Sequence, residues 1–223
     1  MLAAVQSGDA KKLAELMGQD PGFNVNGLDE YGWALLHYAC DSDSRSPVIP
    51  LLLAHPDIDV NLKDQNGWTP FNTACIIGTT SCVRLLLKDS RVMVNECTKD
   101  EPPPLWYVAG NGHLDVINWW VASGREMDLG KPEDVYETDA IGVSKKIGFA
   151  EVATLLERFK DNPVEARHEM RVELGCFDEL AAEVFALVVF VSEMDYCKSG
   201  TQLRRRLQPG SSKLQGNYHL NCK

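Results

Sequence analysis

Asp64 to Asn95 reads DQNGWTPFNTACIIGTTSCVRLLLKDSRVMVN, and this stretch decides the fold. It opens with turn chemistry, since an Asp side chain caps its own backbone and Gly67 accepts a positive φ. Thr69 is a favourable N-cap, Pro70 is a favourable first helical residue, and Gly78 is a natural stop. A second helix then places apolar residues at spacings of three and four. The stretch therefore predicts a turn followed by two short helices.

A near copy of this unit precedes it. Residues 29–40 read DEYGWALLHYAC. The copy that they open continues to Val60-Asn61, the same Val-Asn pair that closes the first stretch at Asn95. The opening aspartates Asp29 and Asp64 lie 35 residues apart, and the closing Asn61 and Asn95 lie 34 apart. A turn and two short helices cannot bury their apolar faces alone, so such a unit needs copies of itself on each side. The repeat therefore predicts a solenoid.

This pattern resembles the ankyrin repeat family, whose repeat has an Asp-x-x-Gly turn, a Thr-Pro-Leu-His helix start, a second helix and a closing Val-Asn, with a period of about 33 residues. The resemblance implies an all-α solenoid of helix-turn-helix repeats with hairpin-like turns. Weaker copies are a shortened first repeat ending at Asn26, a fourth repeat with Pro104-Leu105-Trp106 in the Pro-Leu-His register, and a fifth that starts near Asp139. The sequence thus predicts about five repeats over residues 1–160.

The second repeat departs from the pattern between its helices. Residues 41–47 replace the usual Gly turn and add one residue. Pro47 fits the first turn of the second helix, whereas Pro50 falls further in, where proline removes a backbone donor. We therefore expect Pro50 to disturb this helix.

The pattern changes again beyond residue 160. Asn162-Pro163 predicts a helix start and Gly175 its end. A further predicted helix, over residues 179–193, contains the apolar run VFALVVFV. We interpret that helix as a buried cap on the last repeat; a membrane span, which needs about 20 apolar residues, and a partner-binding helix are the alternatives.

The C-terminal region is predicted to have two parts. Residues 161–195 form an α-helical extension, and residues 164–192 resemble the tail that follows ankyrin repeats in some proteins of mushroom-forming fungi. Residues 196–223 lack apolar periodicity, which predicts a disordered tail.

Charge is unevenly distributed along the chain. The formal net charge is −10, and all six charged residues after Tyr196 are basic, including Arg204-Arg205-Arg206. The preceding part carries the other 16 basic residues against 32 acidic ones. An acidic array argues against nucleic-acid binding, because phosphate contacts need Lys and Arg. It favours a protein partner with a basic segment, and the arginine run is either a nuclear import signal or part of a solvated tail.

Reactive and ligating residues give no enzyme pattern. The seven cysteines include no C-x-x-C pair, and Cys40 and Cys75 share one repeat position, where a small apolar side chain packs between helices. We expect reduced thiols in a cytoplasmic protein, with no signal peptide after Met1. By the resemblance, His37 and His113 hydrogen-bond turns of neighbouring repeats. No nucleophile elbow, phosphate loop or metal-ligand cluster occurs, so we predict neither catalysis nor a cofactor.

Asn61 allows two interpretations. It resembles the ankyrin asparagines modified by asparaginyl hydroxylase, with Leu53 eight residues before it. A structural role, in which its side chain bonds its own loop backbone, explains the residue without any modifying enzyme.

Large side chains at solvent-facing repeat positions mark a candidate binding surface. By the resemblance, residues flanking the turn glycine project from hairpin fingertips, and those before Gly78 lie on the concave side of the first helix. A solvated surface does not need large apolar residues there. The candidate partner-binding residues are Tyr31, Trp33, Gln65, Asn66, Trp68, Ile76 and Ile77. The competing interpretation is that Trp33 and Trp68 pack on each other laterally.

The expected function is therefore that of a monomeric protein-protein interaction module or scaffold, without a membrane span, which docks a partner along the fingers and the concave face. The alternative is a non-catalytic regulatory or targeting fragment of a larger protein, suggested by the shortened first repeat.

Overall fold

The computed structural model describes residues 1–97, 101–131 and 138–176. The predicted apolar helix at 179–193 and the predicted basic tail lie outside these ranges. The described helices are α1 (Leu2–Gln6), α2 (Ala10–Gln19), α3 (Leu35–Cys40), α4 (Ile49–Leu53), α5 (Pro70–Ile77), α6 (Thr80–Leu87), α7 (Pro104–Gly110), α8 (Leu114–Ser123), α9 (Ala140–Ile147), α10 (Ala150–Asp161) and α11 (Pro163–Glu173), with a 3₁₀ helix at Asp43–Val48. No strand occurs in the described ranges.

The helices form two layers. In the first layer α1, α3, α5, α7 and α9 each pack against the next, and in the second layer the 3₁₀ helix packs on α6, α6 on α8, and α8 on α10 and α11. One apolar core runs between the layers. Its fully buried side chains include Leu36, Phe71 and Leu105 of the first layer and Leu52, Leu86, Trp120 and Leu156 of the second. The predicted all-α solenoid of five helix pairs is confirmed.

Each clear repeat opens on a hairpin turn held by an aspartate. Asp64 Oδ1 accepts the backbone N–H of Asn66 at 2.8 Å and of Trp68 at 2.9 Å. The Asp64 N–H in turn donates to the Trp68 carbonyl at 2.9 Å. Residues 29–33, here finger 1, repeat all three bonds around Asp29, and residues 64–68 are finger 2. The Asx chemistry predicted from the sequence therefore builds the turn.

One register position in the first layer links each repeat to the following one. The third residue of the helix donates a side-chain N–H to a backbone carbonyl of the next repeat. The donor is an imidazole in α3, a carboxamide in α5 and an indole in α7. The bonds join His37 Nε2 to Trp68 O (3.1 Å), Asn72 Nδ2 to Glu96 O (2.9 Å) and Trp106 Nε1 to Thr138 O (3.1 Å). The neighbouring-turn bond predicted for His37 is present; in α9 the position is Gly142, which has no side-chain donor.

A second set of amides links the repeats at their closing asparagines. Asn61 Nδ2 donates to the Arg91 carbonyl at 2.8 Å, and its Oδ1 accepts the Met93 N–H at 2.8 Å. Asn26 and Asn95 make the same paired bonds to the loops of their following repeats. The expectation that Asn61 bonds its own loop is therefore wrong, because the carboxamide reaches the loop of the adjacent repeat.

Other side chains donate in the opposite direction, to the preceding repeat. Two of them, from Arg91 and Arg125, place a guanidinium near the carboxyl end of a second-layer helix, where cations are favourable. The backward bonds include those from Thr79 Oγ1 to Cys40 O (2.8 Å), Arg91 Nη2 to Leu53 O (2.7 Å), His113 Nε2 to Ile76 O (3.1 Å) and Arg125 Nη1 to Asp89 O (2.9 Å).

The second helix of the second repeat is split. The 3₁₀ helix Asp43–Val48 contains Pro47, and α4 restarts at Ile49 with Pro50 in its first turn. A proline there removes an N–H that has no intrahelical partner in any case. The expectation that Pro50 disturbs the helix interior is thus wrong, because the break before it supplies a new helix start.

The α11 helix extends the second layer. Asn162 Oδ1 caps it by accepting the Glu165 N–H at 3.3 Å, and Pro163 opens it, as predicted. α11 packs on α8 and α10, and Arg171 Nε donates to the Ala122 carbonyl at 2.8 Å near the end of α8. Among the helices of the described ranges, none is long and apolar enough to cross a bilayer.

Two glycines that follow first-layer helices lie close to the residue that begins the second-layer helix of the next repeat. Gly78 ends α5 with φ +84°, and a Cβ at this position would lie 2.5 Å from the His113 ring of the next repeat. A Cβ at Gly112 would likewise lie 2.5 Å from the Phe149 ring. Gly148 ends α9 with φ +103°, but a Cβ there would meet no atom within 4 Å among the described residues. Glycine at 78 therefore serves both the backbone and the inter-repeat contact.

We predict that Gly78→Ala destabilises the protein more than Gly148→Ala, its matched control. Both changes force alanine into a left-handed conformation, which costs roughly 1–2 kcal/mol. Only Gly78→Ala also drives a methyl group into the His113 ring, and overpacking adds about 1–3 kcal/mol. Denaturant unfolding of both variants measures the difference, and equal losses would refute the contact.

The His37 ring is neutral and buried. Its Nδ1 accepts the Ala34 N–H at 3.1 Å while Nε2 donates to Trp68, which fixes the Nε2–H tautomer. Burial lowers the pKa of His37 below its usual 6.5, against the opposing effects of the Trp68 bond and of nearby Asp64 and Asp29. The unfolded chain therefore takes up this proton at a higher pH than the native protein does.

We predict that His37 makes the protein less stable as the pH falls. Its contribution is complete above pH 6.5 and is lost as the pH drops through that value toward the lower pKa of the folded state. His37→Asn replaces the imidazole with a carboxamide, the donor that Asn72 supplies in α5. The unfolding free energy of this variant should therefore change less between pH 7.5 and about pH 5 than that of the wild type. Parallel pH profiles for the two proteins would contradict the prediction.

Three thiols lie in the core. Cys40, Cys75 and Cys82 are free and buried, and burial raises the pKa of all three, that of Cys82 to about 11. Cys97 and Cys176 are half-buried.

We predict that a thiol reagent modifies Cys97 and Cys176 in the native protein, but Cys40, Cys75 and Cys82 only after unfolding. The reagent needs access and a thiolate, and burial removes both. Peptide mapping by mass spectrometry after brief labelling resolves the sites. Rapid native labelling of Cys75 would show that the repeat register is misassigned.

Candidate functional site

The seven candidate residues differ in exposure. Tyr31 is 63% exposed and Ile77 43%. Gln65 and Asn66 are also exposed, whereas Trp33, Trp68 and Ile76 are half-buried. The two tryptophans therefore lie deeper than the fingertip position expected from the sequence.

Four of the seven residues line one cavity between the fingers. Tyr31 and Trp33 come from finger 1, Gln65 and Asn66 from finger 2, and Tyr38 of α3 completes the lining of this finger cavity, which has a volume of about 310 Å³. The Trp33 and Tyr38 rings lie 5.1 Å apart between centroids with an interplanar angle of 65°. Two aromatic walls thus meet at an angle beside an exposed third ring, Tyr31.

Sequence reasoning missed Tyr38 and its partner Asp29. The Tyr38 hydroxyl donates to Asp29 Oδ2, the carboxylate that also caps finger 1 through Oδ1. This bond lowers the pKa of Asp29 and raises the pKa of Tyr38 to about 12. At neutral pH the phenol of Tyr38, which lines the cavity, is therefore neutral and hydrogen-bonded to a charged carboxylate behind it. One sequence signal could have identified Tyr38: it stands at the fourth position of α3, where α5 has the much smaller Thr73.

Trp68 has a different environment from Trp33. Its ring packs edge-on against Tyr107 of α7, with centroids 6.3 Å apart, and its carbonyl accepts the His37 bond. Its buried indole N–H has no acceptor within the described part of the chain. Trp33 instead stacks on His37 and packs against Tyr38. Each tryptophan therefore braces its finger against a first-layer helix.

The fingers do contact each other, but through smaller groups. Gln65 Nε2 donates to the Glu30 carbonyl, and a Cβ at Gly32 would lie 2.7 Å from the Gln65 nitrogen. This close approach requires glycine at 32, whose φ is +76°. The lateral packing anticipated for the tryptophan rings is thus provided by backbone and a carboxamide.

The two isoleucines lie at the other end of their helix from the fingers. α5 starts beside finger 2, and Ile76 and Ile77 are its last residues, about 10 Å further along the axis. The Ile76 carbonyl accepts bonds from Asn111 and His113 of the next repeat. Ile147, at the same position in α9, is 55% exposed and was missed, although it too stands directly before a helix-ending glycine. Ile77 and the finger cavity therefore form separate patches.

The described residues contain no group of three or more His, Cys, Asp or Glu side chains that could hold a metal ion. The chemistry available at the fingers is therefore that of aromatic faces, carboxamides and a capped carboxylate.

Comparison with known proteins identifies the repeats. A family model described as ankyrin repeats (3 copies) matches residues 45–131, from the 3₁₀ helix to beyond α8. No curated protein matches the chain. The match covers finger 2 and the helix pairs α5–α6 and α7–α8, and the flanking helix pairs repeat the same two-layer packing. The described chain is therefore an all-α solenoid, and its residues 45–131 match ankyrin repeats.

Proposed function

We propose that this protein is a non-catalytic interaction module that docks a protein partner along its fingers and first-layer helices. Ankyrin repeats are generally protein-protein interaction modules and typically lack catalysis. The observation that carries the proposal for this chain is the finger cavity, because it combines three aromatic side chains with carboxamide donors and acceptors at the surface. Aromatic side chains in pockets are the usual anchors of protein interfaces.

Charge supports a basic segment in the partner. The repeats belong to the part of the chain with twice as many acidic as basic residues, and the ionised Asp29 bonds the Tyr38 hydroxyl of the cavity lining. Complementary charge speeds association and excludes acidic partners.

A scaffold acting in the cytoplasm fits the thiol chemistry. Cys40, Cys75 and Cys82 are unpaired and buried between helices, where they pack as small apolar side chains. Such thiols persist in a reducing compartment, which supports a cytoplasmic location. We propose that the protein acts there as a monomer.

We predict that Tyr31→Ala and Ile77→Ala each weaken partner binding without lowering the melting temperature appreciably. Both side chains are largely exposed and support little of the core. Loss of a hot-spot contact costs about 2 kcal/mol, which is roughly a 30-fold change in affinity. Partners captured from the native cell by the wild-type protein are quantified by mass spectrometry, and the affinity of the leading one is then measured by calorimetry for each variant.

Val164→Ala is the matched control, because Val164 is 75% exposed on α11, away from the fingers. It should bind as the wild type does. If Val164→Ala loses the partner while Tyr31→Ala and Ile77→Ala retain it, the docking surface lies elsewhere. Trp68→Ala is less informative, since its packing on Tyr107 makes a loss of stability expected.

A further inference from the structure

The finger cavity has the properties of a cation site. Its lining residues are three aromatics and two carboxamides, with no basic side chain among the five. Cations are attracted to aromatic faces by the ring quadrupole, most strongly by tryptophan. Trp33 and Tyr38 pack edge to face at 65° in the cavity wall, and the exposed ring of Tyr31 lies beside them.

The carboxylate beside these rings already accepts three hydrogen bonds within the finger and α3. Asp29 Oδ1 accepts two backbone N–H groups, from Tyr31 at 2.9 Å and Trp33 at 2.8 Å, and Oδ2 accepts the Tyr38 hydroxyl. The charge therefore contributes a favourable potential, while three of its roughly four acceptor sites are already used. A lysine ammonium is strongly hydrated and needs several acceptors when it leaves water. A guanidinium is planar and weakly hydrated, and it stacks on aromatic rings.

We propose that the finger cavity binds an arginine side chain of the partner, held against its aromatic lining and within the field of Asp29. The carboxamide oxygens of Gln65 and Asn66, on the opposite wall, accept from the edge of the guanidinium. This inference rests on the proposed function, because it names the residue type that the partner inserts.

The test uses small probes in place of the partner. N-acetyl-arginine amide, N-acetyl-lysine amide and N-acetyl-glutamine amide are titrated into the full chain to about 50 mM, a range that reports millimolar affinities. Binding is followed through the indole N–H resonance of Trp33 by NMR. We expect a saturable shift with the arginine probe, binding at least about tenfold weaker with the lysine probe, and no shift with the glutamine probe.

Variants of the cavity then test each part of the argument. Tyr31→Leu and Trp33→Leu remove an aromatic face and should each weaken the arginine probe; Tyr31 is exposed, so its variant folds even if Trp33→Leu does not. Tyr38→Phe removes only the hydroxyl that occupies Asp29 Oδ2. This variant should therefore bind the lysine probe more tightly than the wild type does, and the difference in affinity between the arginine and lysine probes should become smaller. Val164→Ala should bind all probes as the wild type does.

Several outcomes would overturn the proposal. These are no saturable shift with the arginine probe, equal binding of the lysine probe, and unchanged arginine binding in Tyr31→Leu. Failure here is distinguishable from failure of the docking surface. If Tyr31→Ala and Ile77→Ala lose the partner while the arginine probe does not bind, the partner docks on this face through another residue.

Discussion

Hydrogen bonds from side chains of one repeat to the backbone of the next hold this solenoid in register. A buried backbone carbonyl needs a donor, and the net gain from one such bond is about 1 kcal/mol, but an unsatisfied carbonyl costs about 1–3 kcal/mol. The carbonyl requires only an N–H within hydrogen-bond distance. His37, Asn72 and Trp106 therefore supply it with three different functional groups. Repeat arrays are stabilised by such nearest-neighbour interfaces as much as by the repeats themselves.

Local chemistry was predictable from the sequence, and contacts between repeats mostly were not. Asp64, Thr69 and Gly78 act within a few residues of themselves, so the turn, the cap and the helix stop follow from residue type. The partners of Asn61 and Trp68 lie about 30 to 40 residues further along the chain, at distances that no turn or helix pattern encodes. The register of the repeat identifies which positions of neighbouring repeats are in contact, but it does not predict how much of each side chain is buried there.

The candidate site shows the same division. Tyr31, Trp33, Gln65 and Asn66 were predictable as finger residues, and the structure places them around one cavity. Tyr38 was not, since its role depends on Asp29, nine residues earlier. One carboxylate thus caps the finger and holds the aromatic wall in place. A cavity whose walls are already fixed loses little conformational freedom when it is filled, which favours affinity.

The direction of the inter-repeat bonds bears on how the chain folds as it leaves the ribosome, where N-terminal parts fold first. Backward donors such as Thr79 and His113 find their acceptors, Cys40 and Ile76, already synthesised. Forward donors such as His37 and Asn72 must wait for the following turn to emerge. Each new repeat can therefore dock on completed structure with its own side chains, and its arrival satisfies a donor that the preceding repeat has held exposed. This order of bonding allows translation to extend the solenoid one repeat at a time from its growing end.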